Sequence, residues 1–369
     1  MRVLSVFGTR PEAIKMAPVV RELQKHSDRI ESRVCVTAQH REMLDQVLGV
    51  FGVKPDIDLD LMQAGQMLPE LTARVVLSMS EVLTREKPDC VLIQGDTTTV
   101  MATALAAFYQ QIAVGHVEAG LRTRDLYNPF PEEANRRIAD VLAAFYFAPT
   151  QTAAEALRRE GVAEENIYVT GNTVIDALLW VVRQPEPPEV ARLMAEFSGR
   201  QLILVTAHRR ENFGAAFEEI CTGLRELARR NPDVAIVYPV HLNPNVQDPV
   251  QRILDGEERI YLLDPLPYGS FAHLMKQAHI ILTDSGGIQE EAPALGKPVL
   301  VMRRETERSE AVSAGSAKLV GPDAQAIVQE AERLLYDEDT YQRMAHVINP
   351  FGDGHAAERI VRVLLERFG

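Results

Sequence analysis

Residues 90–109 read CVLIQGDTTTVMATALAAFY, and this stretch decides the fold. Cys90–Gln94 is a short, nearly unbroken apolar run, the pattern of a strand buried on both faces of a sheet. Gly95 turns the chain, Asp96 arrives at the strand's carboxyl end, and Thr99–Tyr109 returns as a helix. A strand, a polar turn and a helix make half of a parallel crossover unit. Asp96 could cap that helix, as Asp commonly does. Thr97 and Thr98 could cap it equally well, so Asp96 is not needed for capping alone.

The same unit recurs on both sides. Upstream, Val3–Phe7 and Arg33–Thr37 read as strands, and Ala13–Lys25, Arg41–Phe51 and Leu71–Glu86 as helices. Downstream come strand Val114–Val117, helix Glu133–Val141 and strand Phe145–Ala148. The pattern then restarts. Asn166–Thr170 is a strand or linker, Val174–Val182 a helix, and the charged, proline-rich Gln184–Glu189 a break. Leu202–Thr206, Ala235–Pro239, Ile260–Leu263, Ile280–Thr283 and Val299–Val301 follow as strands. Helices Ala215–Arg230, Val246–Leu254, Gly269–Gln277 and Gly287–Ala294 alternate with them, and Ala324–Tyr336, Asp339–Ala345 and Ala356–Arg367 close the chain. The expected class is α/β, with two Rossmann-like, doubly wound domains. Ligands of such sheets bind beyond the carboxyl ends of the strands, and the active site is expected in a cleft between the two domains.

A length of 369 residues suits two domains. Apolar residues make up 46% and charged residues 25%, which supports packed cores rather than disorder. A net charge of −13 argues against nucleic acid or an anionic membrane as a partner, and an anionic ligand would need local cations. No apolar run approaches the ~18 residues of a membrane helix. Met1–Phe7 is too short for the apolar core of a signal peptide, so a soluble, cytoplasmic protein is expected. Cys35, Cys90 and Cys221 lie far apart in apolar stretches, without metal-ligand spacing. They read as buried free thiols in a reducing compartment, and no metal site is expected.

Further polar segments also fall just after strands. In Gly8-Thr9-Arg10-Pro11-Glu12, Gly8 can take a positive φ and Pro11 suits a first helical turn. Amides at that helix start favour an anion, which Arg10 and Lys15 could reach; a plain tight turn with a surface arginine would read the same. In GHVEAGLR, residues 115–122, Glu118 sits at a strand end among small residues, which favours close ligand approach over plain solvation. In NPFPEEANR, residues 128–136, Glu132 and Glu133 occupy a first helical turn, where the helix dipole accounts for one of them. Asp96, Glu118 and Glu132 thus follow successive strands and could converge for acid–base work.

The second half carries cations instead. TAHRREN, residues 206–212, sets His208 beside Arg209 and Arg210, and arginine matches phosphate geometry. TDSGGIQEE, residues 283–291, ends a strand in Ser285-Gly286-Gly287 and opens a helix. Its amides and the Ser285 hydroxyl can cradle a pyrophosphate, Glu291 could accept from a ribose diol, and Arg308 could add a cation. The Walker loop, GxGxxG, GxSxG and HExxH patterns are absent. His241, His273 and His279 lack metal-ligand partners, and the latter two are expected on helix or strand surfaces.

Together, GTRPEAIKMAP, TAQHREMLDQVL, QGDTTT, GHVEAGLRT, NPFPEEANRR, TAHRRENFG and DSGGIQEEAPALGKPVL make the sequence resemble the non-hydrolysing UDP-N-acetylglucosamine 2-epimerases, in order and across essentially the whole chain. The resemblance implies a glycosyltransferase-B type of fold. Its first domain would be residues 1–168, joined by a C-terminal helix within 352–369, and its second residues 169–351. It puts Asp96, Glu118, Glu132 and His208 on catalytic positions. Arg10, Lys15, Arg210, Ser285, Gly286, Gly287, Glu291 and Arg308 are expected at the UDP-sugar. Phe271, which alone reads as helix core, matches a position near the uracil.

The resemblance further implies a reaction without a cofactor. A base takes the C2 proton, UDP leaves C1, and the bound 2-acetamidoglucal is reprotonated on its other face before UDP returns. It also implies a homodimer that serves polysaccharide biosynthesis. Regulated members surround a second UDP-sugar; Gln39, Glu132, Arg209 and His241 match them, whereas Glu42 stands for a Gln and Gly65 for an Arg. Allosteric activation is therefore expected to be weak or absent. Four alternatives stay open: a hydrolysing epimerase, an epimerase of a UDP-diacetamido-uronic acid, a glycosyltransferase and a sugar-nucleotide-binding regulator.

Overall fold

The computed structural model describes the chain except residues 38–40, 62–64 and 198 and the side chains of 41–43. The chain forms two compact units, Met1–Ala177 with Phe351–Gly369, and Leu178–Pro350.

In the first unit the strands are β1 (Arg2–Phe7), β2 (Glu31–Val36), β3 (Ile57–Asp58), β4 (Cys90–Gln94), β5 (Ala113–Val117), β6 (Phe145–Ala148) and β7 (Ile167–Val169). Between them run α1 (Arg10–Lys25), α2 (Arg41–Phe51), α3 (Leu68–Glu86), α4 (Thr98–Tyr109), α5 (Glu132–Leu142) and α6 (Gln151–Arg159), and α7 (Thr173–Val181) follows. The strands pair in parallel in the order β3-β2-β1-β4-β5-β6-β7. Val91, Leu92 and Ile93 are wholly buried, as a strand covered on both faces requires.

The second unit begins with α8 (Pro188–Glu196) and continues β8 (Gln201–Thr206), α9 (Ala215–Arg230), β9 (Val234–Pro239), α10 (Pro244–Leu254) and β10 (Ile260–Leu263). Then come α11 (Tyr268–Gln277), β11 (Ile280–Thr283), α12 (Gly286–Glu291), β12 (Val299–Val301), α13 (Ser309–Ala314) and β13 (Ala317–Leu319). Helices α14 (Ala324–Tyr336) and α15 (Glu338–Ala345) complete it. Its parallel sheet has the order β10-β9-β8-β11-β12-β13.

Both sheets reverse winding beside their first strand, between β1 and β4 and between β8 and β11. Such a switch point leaves a crevice at the carboxyl edge where α/β proteins bind ligands. Register brings neighbouring strand ends level: Gln94 pairs with Val117, and Thr206 with Thr283. The final helix, α16 (Ala356–Phe368), packs on α1 within the first unit. Asp176 accepts from its first-turn amides, Ala356 N at 3.2 Å and Ala357 N at 2.8 Å. Burial raises that carboxyl to about 6.

The sequence reading missed β3, β13, α6, α8 and α13. The two strands hold two and three residues, too few for a pattern to register. Helix α8 starts at Pro188, inside the stretch expected as a break, because proline fits the first helical position. His273 is also corrected: it is buried on α11 rather than on a surface.

Candidate active site

At the first unit's switch point the polar groups are wired to one another. Glu118 follows β5, is 9% exposed and adopts φ +67°. That conformation costs a non-glycine residue about 1 kcal/mol. It persists because Glu118 N and Ala119 N both donate to the Phe147 carbonyl, at 3.0 and 3.2 Å. Lys15 Nζ lies 2.5 and 2.7 Å from the two Glu118 oxygens, Asn172 Nδ2 donates at 3.1 Å, and Gln94 Nε2 donates as well. Every one of these groups is a donor, so Glu118 acts as an ionised acceptor. Asp96, after β4, pairs with Arg136 of α5, and its carbonyl accepts Asn135 Nδ2 at 3.0 Å. Thr97, not Asp96, caps α4. Glu133 is completely buried and holds Thr123 N at 3.0 Å and Arg136 at 3.3 Å. It is the structural member of the acidic pair, while Glu132 stays partly exposed at the start of α5.

Two expectations about Gly8–Lys15 change. Gly8 does not take a positive φ. It is there for space, since a Cβ would stand 2.1 Å from Thr37 Oγ1 and 3.0 Å from Thr99 Oγ1. The amides of Gly8 and Thr9 are not open to an outside anion, because each donates to Glu12 Oε2 at 2.7 Å. Thr97 Oγ1 donates to the other Glu12 oxygen at 2.5 Å. Burial pushes the Glu12 carboxyl up, against the pull of these donors. The Lys15 ammonium meets the Glu118 carboxylate. The Arg10 side chain, half-buried, makes no hydrogen bond or ion pair among the described residues.

The second unit's switch point is organised by an acid that the sequence reading left out. Asp284, after β11, is completely buried. It accepts from His208 N at 2.9 Å, Arg209 N at 2.8 Å and Asn212 Nδ2 at 3.2 Å, which fixes the loop after β8 against the loop after β11. The His208 ring stacks on His241 at 5.3 Å. Burial pushes the His208 pKa down, Asp284 at 4.0 Å opposes, and His241 and Arg209 add to the push. Gly286 is approached closely: its missing Cβ would meet Glu307 Oε1 at 3.1 Å, Arg308 Cζ at 3.4 Å and Arg209 Nη2 at 3.5 Å. Ser285 N donates to Thr283 Oγ1 at 2.9 Å. Arg308 reaches this loop while paired with Glu290 at 2.6 Å.

His208, Arg209, Ser285, Gly286 and Arg308 are thus brought together. Glu291 is buried at the end of α12, Gly287 and Arg210 are exposed, and Phe271 stands half-buried on α11 outside this network. Of the second-site residues, Gln39 and the Glu42 side chain lie outside the described residues, and Gly65 is exposed. Asp284 carried a sequence signal, a charge directly after a buried strand. Among the described residues, no group of three or more His, Cys, Asp or Glu could hold a metal ion. Among the same residues, no helix is long and apolar enough to cross a membrane.

Two parallel-sheet units with polar groups gathered at each switch point define an α/β enzyme of the glycosyltransferase-B type. The sequence matches the UDP-N-acetylglucosamine 2-epimerase family over residues 21–365, and the chain belongs to that family of isomerases. The UDP-N-acetylglucosamine 2-epimerase of Escherichia coli strain K12 is 58% identical over 370 residues, 99% of this chain and 98% of the relative. The Neisseria meningitidis UDP-GlcNAc 2-epimerase, solved bound to UDP-GlcNAc, superposes with a TM-score of 0.89 at 51% identity, covering 99% of this chain and 100% of that one. An S. aureus protein solved with UDP gives a TM-score of 0.88 at 48% identity, covering 100% of this chain and 96% of that one.

Proposed function

We propose that the chain interconverts UDP-N-acetylglucosamine and UDP-N-acetylmannosamine by anti elimination and re-addition of UDP. One observation carries this reading. The first unit gathers acceptor carboxylates at its switch point, and the second gathers an imidazole, guanidiniums and a serine-glycine turn at its own. The chemistry needs both sets. A base among Asp96, Glu118 and Glu132 takes the weakly acidic C2 proton. The C2–H electrons form the C1=C2 bond of a 2-acetamidoglucal, and the C1–O electrons leave with UDP. Ser285, the amides of Gly286 and Gly287, Arg210 and Arg308 hold the diphosphate both in the bound UDP-sugar and after it departs, with Arg10, Phe271 and Glu291 completing the nucleotide contacts. His208, driven toward the neutral form, can move a proton near the leaving group. Reprotonation on the opposite face and return of UDP reverse each bond change.

Incubation with UDP-N-acetylglucosamine in D2O tests this. The expected result is deuterium at C2 in two recovered UDP-sugars. Free N-acetylmannosamine would make the chain a hydrolysing epimerase, and the absence of C2 exchange would leave a transferase or a binding protein.

The functional unit is proposed to be a homodimer. Leu77 on α3, Phe108 and Tyr109 on α4, and Ile138 and Val141 on α5 are exposed apolar residues on helices that pack side by side. Exposed apolar surface of this kind marks association sites. Val141, 81% exposed, is the test position. Val141→Glu should shift sedimentation toward monomer, and an unchanged dimer would remove this face from the interface.

A further inference from the structure

We propose that His116, held as an imidazolium by Asp140, is a positioning residue that fixes the Gly95–Asp96 segment for proton transfer, an inference that rests on the epimerase reading. His116 lies on β5 with its side chain wholly buried. Its Nε2 is 2.7 Å from the Gly95 carbonyl oxygen, which can only accept, so Nε2 carries a proton. Its Nδ1 is 2.6 Å from Asp140 Oδ1. The other Asp140 oxygen takes Arg122 Nη2 at 2.7 Å and Gly120 N at 3.3 Å. A carboxylate with those donors is ionised, so Nδ1 donates too and the ring is a cation. Burial alone would push the histidine pKa down and the aspartate pKa up; the pairing reverses both, leaving His116 raised and Asp140 lowered.

The charge matters because of what the ring holds. Gly95 takes φ +81°, a conformation that gives the chain little resistance of its own. Its amide donates to the Val117 carbonyl at 3.1 Å, and its carbonyl is gripped by His116. On the far side, Asn135 holds the Asp96 carbonyl and Glu12 holds the Thr97 hydroxyl. Asp140, Asn135 and Arg136 all come from α5, the helix that begins with Glu132. One buried ion pair therefore ties the ends of β4 and β5 to α5, and sets Asp96, Glu118 and Glu132 in one frame. A neutral ring could not donate to the Gly95 carbonyl and to Asp140 at once.

Three variants and one spectrum test this. His116→Ala should lower kcat about 100-fold with little change in KM, the signature of misplaced reacting groups rather than lost binding. His116→Gln keeps a donor near the Gly95 carbonyl and should recover about tenfold of that loss. The 15N spectrum of the folded wild-type protein at neutral pH should show both His116 ring nitrogens protonated, and Asp140→Asn should abolish that state. A neutral ring in the wild type, equal kcat for the Ala and Gln variants, or a raised KM at unchanged kcat would overturn the proposal. If the wild type shows no C2 exchange, the epimerase reading fails, while the ring spectrum still decides the geometry. If His116→Ala does not fold, the spectrum and His116→Gln decide.

Discussion

The two switch points use opposite economies of charge. In the first unit, reactive-looking carboxylates meet side-chain cations: Lys15 on Glu118 and Arg136 on Asp96. In the second, the Asp284 carboxylate is buried and spent on backbone amides, the His208 imidazole is partly exposed, and Arg209 and Arg308 pair with Glu307 and Glu290. The histidines follow suit. His116 is driven toward the cation by Asp140, and His208 toward the neutral form by burial. The same strand-turn-helix unit therefore presents cation-paired carboxylates in one copy and, around a buried acid, an imidazole and carboxylate-paired guanidiniums in the other. The division can be broken experimentally, because it predicts different failures on each side.

The largest effect is catalytic. Glu118→Gln and Asp96→Asn should each lower kcat by about 100- to 10,000-fold, as loss of a general acid or base does. Ser285→Ala should instead raise KM by about threefold to tenfold, the value of one hydrogen bond, with a smaller change in kcat. Steady-state kinetics with UDP-N-acetylglucosamine checks both. A KM effect at Glu118 or a pure kcat effect at Ser285 would collapse the comparison.

Stability should divide the other way. Asp284→Ala leaves the part-buried amides of His208 and Arg209 and the buried Asn212 amide without their acceptor and should cost about 3 kcal/mol. Asp96, whose side chain is 30% exposed, should tolerate Asn within about 1 kcal/mol. Urea unfolding midpoints would separate the two.

The pH dependence of stability carries opposite signs at the two histidines. His116 has a raised folded pKa, so the folded state holds its proton longer. Its contribution is complete below the unfolded pKa of about 6.5 and is lost as pH rises through the folded value. His208 has a lowered folded pKa, so the unfolded state takes the proton first, and stability falls as pH drops below about 6.5. Each slope is at most about 1.4 kcal/mol per pH unit. His116→Gln should flatten the alkaline fall, and His208→Gln the acid fall, in unfolding curves measured across pH. Matching slopes in the two variants would show that the rings do not differ.

Much of this was legible in the sequence, for an identifiable reason. Buried strands announce themselves as apolar runs, so the residues just after them, Asp96, Glu118, His208 and Ser285, could be read as edge groups. What could not be read is pairing. Strand order is non-local, so no window of sequence shows that β1 lies beside β4 and β8 beside β11. Lys15 and Glu118 are 103 positions apart. Glu12, to which the sequence assigned no role, occupies the very amides expected to bind a ligand. Asp140 sits deep in α5, where a carboxylate normally reads as a solvated face; its neighbour Ala139 on the buried side was the available hint.

The smallest predicted effect concerns the second nucleotide site implied by the family resemblance. Its second-unit members, Arg209 and His241, lie beside His208: Arg209 shares the Asp284 anchor and His241 stacks on the imidazole. At its other implied positions Glu42 stands for a Gln and Gly65 for an Arg, so an anionic effector would lose one cation and meet one more carboxylate. Substrate saturation should therefore be hyperbolic, with a Hill coefficient indistinguishable from unity. Glu42→Gln should tighten any residual effector response only slightly. Gly65→Arg should do more, although φ +72° at that position costs an arginine about 1 kcal/mol. Sigmoidal kinetics in the wild type would mean that Glu42 and Gly65 do not abolish the effector response.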